Sequence, residues 1–240
     1  MTGERPAVLL IHGFCSHRSS LEPLIPELER RGLEWHLPIL AGHGTRPEDL
    51  RNKRWSDWRR DVDQAYRRLR QNHDQVVVIA LSMGTLLAIE LAAEHPAHVS
   101  GLVLISPAVK FTDPLAIFTP LVVPFMRRYP FPPQKKFSFQ KFAQRDRGYP
   151  WFPTAAYYSY WQRTRTILDV VKNIRCPVRI IQSRNDHVAQ PRGAQKIYDL
   201  LRTPKEILWH ERSGHEMLLD VEADTVVKEI MGFQPLSRQP

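Results

Sequence analysis

Short aliphatic runs alternate along this chain with segments of helical periodicity, and no other feature of the sequence restricts the fold more. The runs that we expect to be strands are Ala7–Ile11, Glu34–Leu40, Gln75–Ala80, Leu102–Ile105, Pro177–Gln182 and Glu206–Trp209. Between them, apolar residues recur at helical spacing in five segments. Four of these are Leu21–Leu28, Met83–His95, Arg192–Leu201 and Leu218–Met231. The fifth starts at Ser56, which we expect to be an N-cap, and has an apolar stripe formed by Trp58, Val62, Ala65 and Leu69. This alternation predicts an α/β fold with a mostly parallel sheet and helices on both faces.

One connection in this pattern is far longer than the others. The chain takes roughly 70 residues to pass from Ser106 to Pro177, whereas loops in such folds usually take about 2–6 residues. Residues 108–165 carry ten Lys and Arg against two acidic residues, 15 of the 23 aromatic residues and eight of the 20 prolines. We therefore predict a core formed by residues 1–107 and 166–240, with an inserted aromatic, basic cap, or lid, at 108–165.

Composition excludes several classes of protein. With 240 residues, 42% hydrophobic and 25% charged, the chain fits one globular domain rather than a disordered or fibrous protein. No apolar run reaches the roughly 18–20 residues that cross a bilayer, and no secretory signal precedes Ala7. Two cysteines, Cys15 and Cys176, form neither a disulfide framework nor by themselves a zinc site. We expect a cytoplasmic protein with reduced thiols and no metal.

The net charge of +9 does not by itself indicate a nucleic-acid partner. Most of it lies in residues 108–165, and the rest of the chain nets about +1. The basic run from Arg51 to Arg70 lies on a helix with one clear apolar face, which is typical of a solvated surface. No recognised nucleic-acid module accompanies it, so we expect no nucleic-acid partner.

Ser82 lies where a buried strand runs directly into a helix. A serine there is often only a helix cap, but this strand, tight turn and helix context is also the one that a nucleophile elbow requires. The turn forces the serine into strained backbone angles, so the residues two before and two after it must be small. Ala80 and Gly84 occupy those positions. The pattern predicts Ser82 as a nucleophile, although Ala80 replaces the usual glycine.

A serine nucleophile needs a base and an acid that orients the base, and two downstream loops offer them. His215 follows the last predicted strand, and Asp186 follows the strand before it, both at the edge of the sheet where Ser82 lies. His210 is the other candidate base, and we interpret it as a surface residue at a strand end. The alternative for Asp186 is a turn carboxylate, because Asn-Asp is common in turns.

The same edge offers donors for a developing oxyanion. The backbone N–H of Met83, the residue after the nucleophile, is one, and the N–H of Phe14, after the first strand, is the other. His12-Gly13 could also open a dinucleotide-binding turn, but the following residues lack the Gly-x-Gly-x-x-Gly pattern. We expect no cofactor. His43, between two glycines, is interpreted as a residue that stabilises its loop.

Six motifs together resemble one family. They are Val8–Phe14, Gly42-His43-Gly44-Thr45, Ser56-Asp57-Trp58, Leu81-Ser82-Met83-Gly84, Asn185-Asp186-His187-Val188 and Ser213-Gly214-His215. Over about residues 1–106 and 173–232 the chain is similar to the bacterial carboxylesterases and monoacylglycerol lipases of the α/β-hydrolase superfamily. The resemblance implies that short to medium acyl esters or monoglycerides are hydrolysed through an acyl-enzyme without a cofactor. It implies catalytic roles for Ser82, Asp186 and His215, and an oxyanion hole at Phe14 and Met83.

Other functions fit parts of this pattern. The same triad would serve a thioesterase, an amidase or a C–C bond hydrolase, because the attacked carbonyl and the oxyanion are common to all of them. A protein of a different class, which binds a small ligand or a membrane on a hydrolase scaffold, would not need an intact triad.

The inserted segment is expected to contact the substrate. Aromatic walls suit an acyl pocket, and the wall residues that we predict are Phe118, Phe125, Phe137, Phe139, Trp151 and Trp161. Four basic residues, Arg127, Arg128, Lys135 and Lys136, flank a proline-rich stretch with aromatic rings. They predict weak contact with an anionic membrane surface; the alternative is a solvated basic loop.

Overall fold

A six-stranded sheet forms the centre of the computed structural model, which describes residues 5–113, 116, 118–131 and 136–237. The strands are β1 (Ala7–Ile11), β2 (Trp35–His36), β3 (Val76–Leu81), β4 (Val99–Ile105), β5 (Arg128–Pro130), β6 (Trp151–Pro153), β7 (Val178–Ser183) and β8 (Lys205–His210). The α-helices are α1 (Ile25–Arg30), α2 (Trp55–Leu69), α3 (Met83–Glu94), α4 (Thr119–Val122), α5 (Thr154–Thr164), α6 (Ile167–Val171), α7 (Pro191–Leu200), α8 (Ala223–Met231) and α9 (Gln234–Ser237).

The six strands of the main sheet are all parallel. Their order is β2-β1-β3-β4-β7-β8. The predicted α/β class is confirmed. Because the strands run in one direction, their carboxyl ends and the loops that follow them lie along a single edge. That edge holds every residue of the predicted triad.

Side chains alternate between the two faces of the sheet and pack into two cores. On one face Leu9 and Ile11 of β1 pack in the same core as Trp58 of α2. On the other face Val8 and Leu10 pack in the same core as Leu28 of α1 and Val226 of α8. Both faces are therefore covered by helices, which explains why the strands read as continuous aliphatic runs.

Several predicted element boundaries are wrong. Strand β4 begins at Val99 rather than Leu102, and the first predicted helix has a 3₁₀ turn, Glu22–Leu24, before α1 begins at Ile25. The second strand ends at His36 rather than Leu40, because Pro38 has no N–H for the ladder and the Leu40 N–H donates to His12 Nε2 at 3.1 Å. Helix α2 starts at Trp55, so Ser56 lies in its first turn, and Asp57 accepts the N–H of Arg54. The last predicted helix is split at Asp220, whose carboxylate accepts backbone N–H groups instead.

The long connection between β4 and β7 packs on the helices of the core. It contains α4, the antiparallel pair β5–β6, α5 and α6. The N–H of Trp55 donates to Ser159 Oγ of α5 at 2.8 Å, and Arg163 of α5 pairs with the buried Glu90 of α3 at 2.9 Å. The division of the chain at residues 108 and 165 stays a prediction. Among the described residues, no helix is long and apolar enough to cross a membrane.

Candidate active site

Ser82 occupies a strained turn between β3 and α3. Its φ is +56° and its ψ is −121°, a conformation that costs energy for any residue with a Cβ. The Ser82 N–H donates to the carbonyl of Ile105 at 2.9 Å and so continues the hydrogen bonding of the sheet. A Cβ on Gly84 would lie 2.5 Å from the carbonyl oxygen of Ile11. Only glycine allows this close packing of α3 against β1, which fixes the serine at the edge of the sheet.

The structure brings Ser82, His215 and Asp186 into one hydrogen-bonded chain. His215 Nε2 lies 2.8 Å from Ser82 Oγ, and His215 Nδ1 lies 2.8 Å from Asp186 Oδ2. A carboxylate can only accept, so Nδ1 carries the proton and Nε2 accepts from the serine hydroxyl. This tautomer is the one that lets His215 take a proton from Ser82.

Four hydrogen-bond donors hold the carboxylate of Asp186 in place. Its Oδ1 accepts the backbone N–H groups of Val188 and Ala189 at 2.8 and 2.9 Å. Its Oδ2 accepts from Gln182 Nε2 at 3.1 Å as well as from His215. The side chain is fully buried. Four donors on one buried carboxylate keep it in place and able to orient the imidazole.

The electrostatic environment of His215 favours its protonated form. Burial lowers the pKa of His215, but the charge and hydrogen bond of Asp186 and the charge of Glu216 raise it more, so that the net pKa lies above the usual value. The loop is fixed as well, since Ser106 Oγ donates to the His215 carbonyl at 2.9 Å and Asp220 accepts the N–H of Gly214 at 2.7 Å. The imidazole is therefore a strong and well-oriented base.

Two backbone N–H groups beside Ser82 have no acceptor in the part of the chain that the structure describes. Met83 is the first residue of α3, so its N–H has no intrahelical acceptor. The N–H of Phe14 has none among the described residues. A Cβ on Gly13 would lie 2.9 Å from Ser82 Cβ, so the absence of a side chain lets the loop approach the serine. Both donors are thus free to bind an oxyanion.

Two buried histidines and a buried cysteine hold the loop that carries Phe14. His12 Nε2 accepts the N–H of Leu40, and His43 Nε2 accepts the N–H of Cys15, each at 3.1 Å. Burial lowers the pKa of His12 to about 4 and that of His43 well below its usual value, so both stay neutral acceptors. Burial also raises the pKa of the Cys15 thiol. His43 thus joins its own loop to the loop that carries Phe14.

A cavity of about 200 Å³ opens directly onto Ser82 and His215. Most of the residues that line it belong to the inserted segment, and seven of the lining residues are Phe or Tyr. The aromatic wall residues are Phe14, Phe111, Tyr129, Phe131, Phe152, Tyr157 and Tyr160. Tyr129 and Phe152 are direct partners across β5–β6, and their ring centroids lie 5.5 Å apart. An apolar chain attached to a carbonyl at Ser82 fits such a wall.

None of the six predicted wall residues lines this cavity. Phe118, Phe125 and Phe139 are exposed, Phe125 to 90%. Phe137 is buried outside the cavity, and Trp151 and Trp161 are half-buried away from it. Composition identified the correct segment but not the faces that point inward. On α5 two aromatic pairs each have a spacing of three residues: Tyr157 and Tyr160 line the cavity, whereas Tyr158 and Trp161 stack together outside it, so spacing alone could not choose between them.

Two predictions about charged residues also need correction. Lys136 is 1% exposed and its Nζ pairs with Asp146 Oδ2 at 2.7 Å, so it belongs to the interior and not to a basic surface. Lys135 lies outside the described residues, while Arg127 and Arg128 are exposed. His210 is buried as well, with Nε2 2.8 Å from Glu229 of α8, and it does not face Ser82. Sequence reasoning also missed Glu216, a buried residue of the cavity wall.

Comparison with known proteins matches residues 2–222 to the family described as serine aminopeptidase, S33. A carboxylesterase of Bacillus subtilis (strain 168) is 28% identical over 236 residues, 96% of this chain and 93% of that protein. A thermostable monoacylglycerol lipase of Bacillus sp. (strain H-257) is 30% identical over 233 residues, 94% of this chain and 89% of that protein.

Solved structures show the same relationship. A structure from work on the metagenome-derived lipolytic enzymes LipS and LipT aligns with a TM-score of 0.87 and 28% identity, covering 97% of this chain and 94% of that one. The monoacylglycerol lipase of Paleococcus ferrophilus aligns with a TM-score of 0.80 over 96% of this chain and 95% of that one, at 17% identity, which supports the fold alone. The family match spans almost the entire chain, and the chain therefore belongs to the serine aminopeptidase S33 family and is a hydrolase of the serine α/β-hydrolase class.

Proposed function

We propose that this chain hydrolyses carboxylic esters with short to medium acyl chains, monoacylglycerols included, and that Ser82, His215 and Asp186 carry out the reaction. The observation that supports this most directly is the hydrogen-bonded chain from Ser82 through His215 to Asp186, beside an aromatic cavity. The names of the two Bacillus relatives agree with ester substrates. A cytoplasmic location stays a prediction of the sequence.

The reaction follows from the geometry. Ser82 Oγ attacks the ester carbonyl carbon while its proton passes to His215 Nε2, and the new oxyanion accepts the N–H groups of Phe14 and Met83. The C–O bond then breaks, and His215 returns the proton to the departing alcohol, leaving an acyl group on Ser82. Water repeats the sequence with His215 as base and releases the acid and free Ser82.

The inserted segment at 108–165 acts in this proposal as a cap over the sheet edge. Its inward-facing rings line the space next to Ser82 and receive the acyl chain. This arrangement also fits a thioester or an amide, because the reacting carbonyl is the same. Substrate comparison is therefore the decisive test.

The purified protein should hydrolyse p-nitrophenyl esters and monoacylglycerols. It should hydrolyse acyl-CoA and acyl p-nitroanilides of the same chain length far more slowly.

The substitution Phe111→Ala in the cavity wall should lower kcat/KM for p-nitrophenyl esters with longer acyl chains by about tenfold relative to p-nitrophenyl acetate, because apolar contact with the acyl chain is lost. Phe118→Ala removes a half-exposed ring outside the wall and is the matched control. Faster anilide or thioester turnover would replace the ester proposal.

We also propose that the cap contacts anionic lipid surfaces. Leu121 and Phe125 are exposed to 68% and 90% beside the exposed Arg127 and Arg128. Exposed apolar side chains near arginines suit an interface with anionic headgroups, where each arginine contributes on the order of 1 kcal/mol.

Vesicle sedimentation tests this contact. Wild-type protein should bind vesicles that contain phosphatidylserine more tightly than neutral ones, and the double variant Arg127→Gln, Arg128→Gln should lose most of the difference. The control variant Arg67→Gln, Arg68→Gln removes another exposed pair of arginines, on α2, and should keep the preference for vesicles that contain phosphatidylserine. If both variants lose the preference for anionic vesicles equally, the preference depends on the net charge of the protein and not on this surface of the cap.

A further inference from the structure

Glu216 is a buried carboxylic acid that the mechanism above does not use. Its side chain is 3% exposed and lies in the wall of the cavity that contains Ser82 and His215. Its Oε2 has no hydrogen-bond partner among the described residues. Burying such a group is unfavourable, so its place directly after the proposed base needs a reason.

The cap fixes Glu216 and His215 together. The carbonyl of Lys136 accepts the N–H of His215 at 2.7 Å and the N–H of Glu216 at 3.1 Å. A Cβ on Gly214 would lie 2.6 Å from that same carbonyl oxygen, so the two segments pack as closely as a glycine allows. The N–H of Leu219 donates to the Glu216 carbonyl at 2.9 Å. The loop therefore has little freedom to carry Glu216 away from the imidazole.

The charges around this pair do not cancel that of Glu216. The ionisable groups that act on Glu216 are Lys136, Asp146 and His215, and those that act on His215 are Asp186, Glu216 and Lys136. Lys136 Nζ pairs with Asp146 Oδ2 at 2.7 Å, and both side chains are 1% exposed. Burial raises the pKa of Glu216 and Asp146 adds to this; Lys136, His215 and a hydrogen bond with Ser20 lower it by less, so the net pKa of Glu216 lies above its usual value. The charges of Lys136 and Asp146 offset each other within their own pair, so at a pH above its own raised pKa Glu216 is a second carboxylate beside His215.

We propose that Glu216 is a positioning residue for the hydrolytic reaction, whose buried carboxylate acts with Asp186 to stabilise the protonated form of His215. This inference rests on the proposed function, in which His215 must be neutral to accept the proton of Ser82 and protonated to release the alcohol. A second negative charge favours the protonated intermediate. It also makes His215 hold its proton to a higher pH in the resting enzyme, so that activity is lost earlier on the acid side.

The pH dependence of two reactions tests this role. Glu216→Gln should move the acid limb of kcat/KM to lower pH by about one unit, because the imidazole loses one of two stabilising charges. The pH dependence of the rate at which a fluorophosphonate labels Ser82 should shift by the same amount. Glu216→Asp, which keeps the charge, should retain part of the wild-type profile.

Glu211→Gln is the matched control. It removes the same formal charge from the same connection, but Glu211 is 69% exposed and pairs with Arg184 at the surface. Solvent and salt screen the charge of Glu211, so the acid limb of kcat/KM in Glu211→Gln should stay within about 0.2 pH units of the wild-type limb.

Each outcome decides the question. If Glu216→Gln does not fold, Glu216→Met removes the charge without burying an unpaired amide, and the same shift is expected. An acid limb that stays at the wild-type pH in a folded variant, while Ser82 still labels, overturns the role of Glu216 and leaves the proposed function intact. Failure of the wild-type Ser82 to label would overturn both.

Discussion

Ser82→Ala should lower kcat on a p-nitrophenyl ester by roughly 10⁴-fold or more, and adding His215→Ala should cost little further. The two residues act in one proton transfer across the 2.8 Å contact between Ser82 Oγ and His215 Nε2. Without the hydroxyl there is no proton for His215 to accept, so the second change removes nothing more. Steady-state kinetics on the two single variants and the double variant measures this non-additivity.

Ser106→Ala provides a control with the same chemistry. Ser106 is also buried, follows the neighbouring strand β4 and has a positive φ, of +47°. Its hydroxyl donates to the His215 carbonyl and not to the ring, so its loss should change kcat by no more than about tenfold, as expected for one hydrogen bond. A fluorophosphonate should label this variant at Ser82 but leave Ser82→Ala unlabelled. Unimpaired ester turnover by Ser82→Ala would remove Ser82 from the mechanism.

The proposed triad could be located from the sequence because each member follows an aliphatic strand. In a parallel sheet all carboxyl ends meet at one edge, so residues 82, 186 and 215 converge although 133 positions separate the first from the last. The inference needed only the strand ends and the chemistry of serine, carboxylate and imidazole. The backbone donors at Phe14 and Met83 followed in the same way, since they adjoin β1 and Ser82.

The orientation of side chains in the cap could not be predicted in this way, because few of its residues lie in regular helices or strands with a periodic pattern of apolar residues. An irregular segment gives no rule for which side chain points inward. The prediction of wall residues from aromatic content alone therefore included the exposed Phe118 and Phe125 and missed Tyr129 and Phe152, which line the cavity. The sequence also did not show which charged residues of the cap are buried. Lys136 looked like part of a basic surface because its partner, Asp146, lies ten residues further along an irregular loop.

This buried pair leads to the second large effect that we expect. Lys136→Met should reduce the free energy of unfolding by about 3–5 kcal/mol, because Asp146 would be left as an uncompensated buried charge. The lysine is enclosed on a second side as well, with Nζ 4.8 Å from the centre of the Phe131 ring. Urea denaturation followed by tryptophan fluorescence measures the loss.

The double variant Lys136→Met, Asp146→Asn separates the lost charge from lost packing. The asparagine oxygen can still accept the N–H of Gly148, which donates to Asp146 Oδ1 at 2.7 Å, and neither charge of this pair remains buried. Since a neutral replacement of a buried ion pair is often tolerated, the double variant should recover most of the stability.

Lys172→Met is the surface counterpart. Lys172 and Asp169 also form a lysine–aspartate pair, at 3.5 Å, but their side chains are 44% and 84% exposed. Water already screens this pair, so its loss should change stability by less than about 1 kcal/mol. Equal losses in Lys136→Met and Lys172→Met, or no recovery in the double variant, would mean that the interior of the cap does not depend on the ion pair. The carbonyl of Lys136 also accepts the N–H groups of His215 and Glu216, so recovery of stability in the double variant should bring back ester turnover with it.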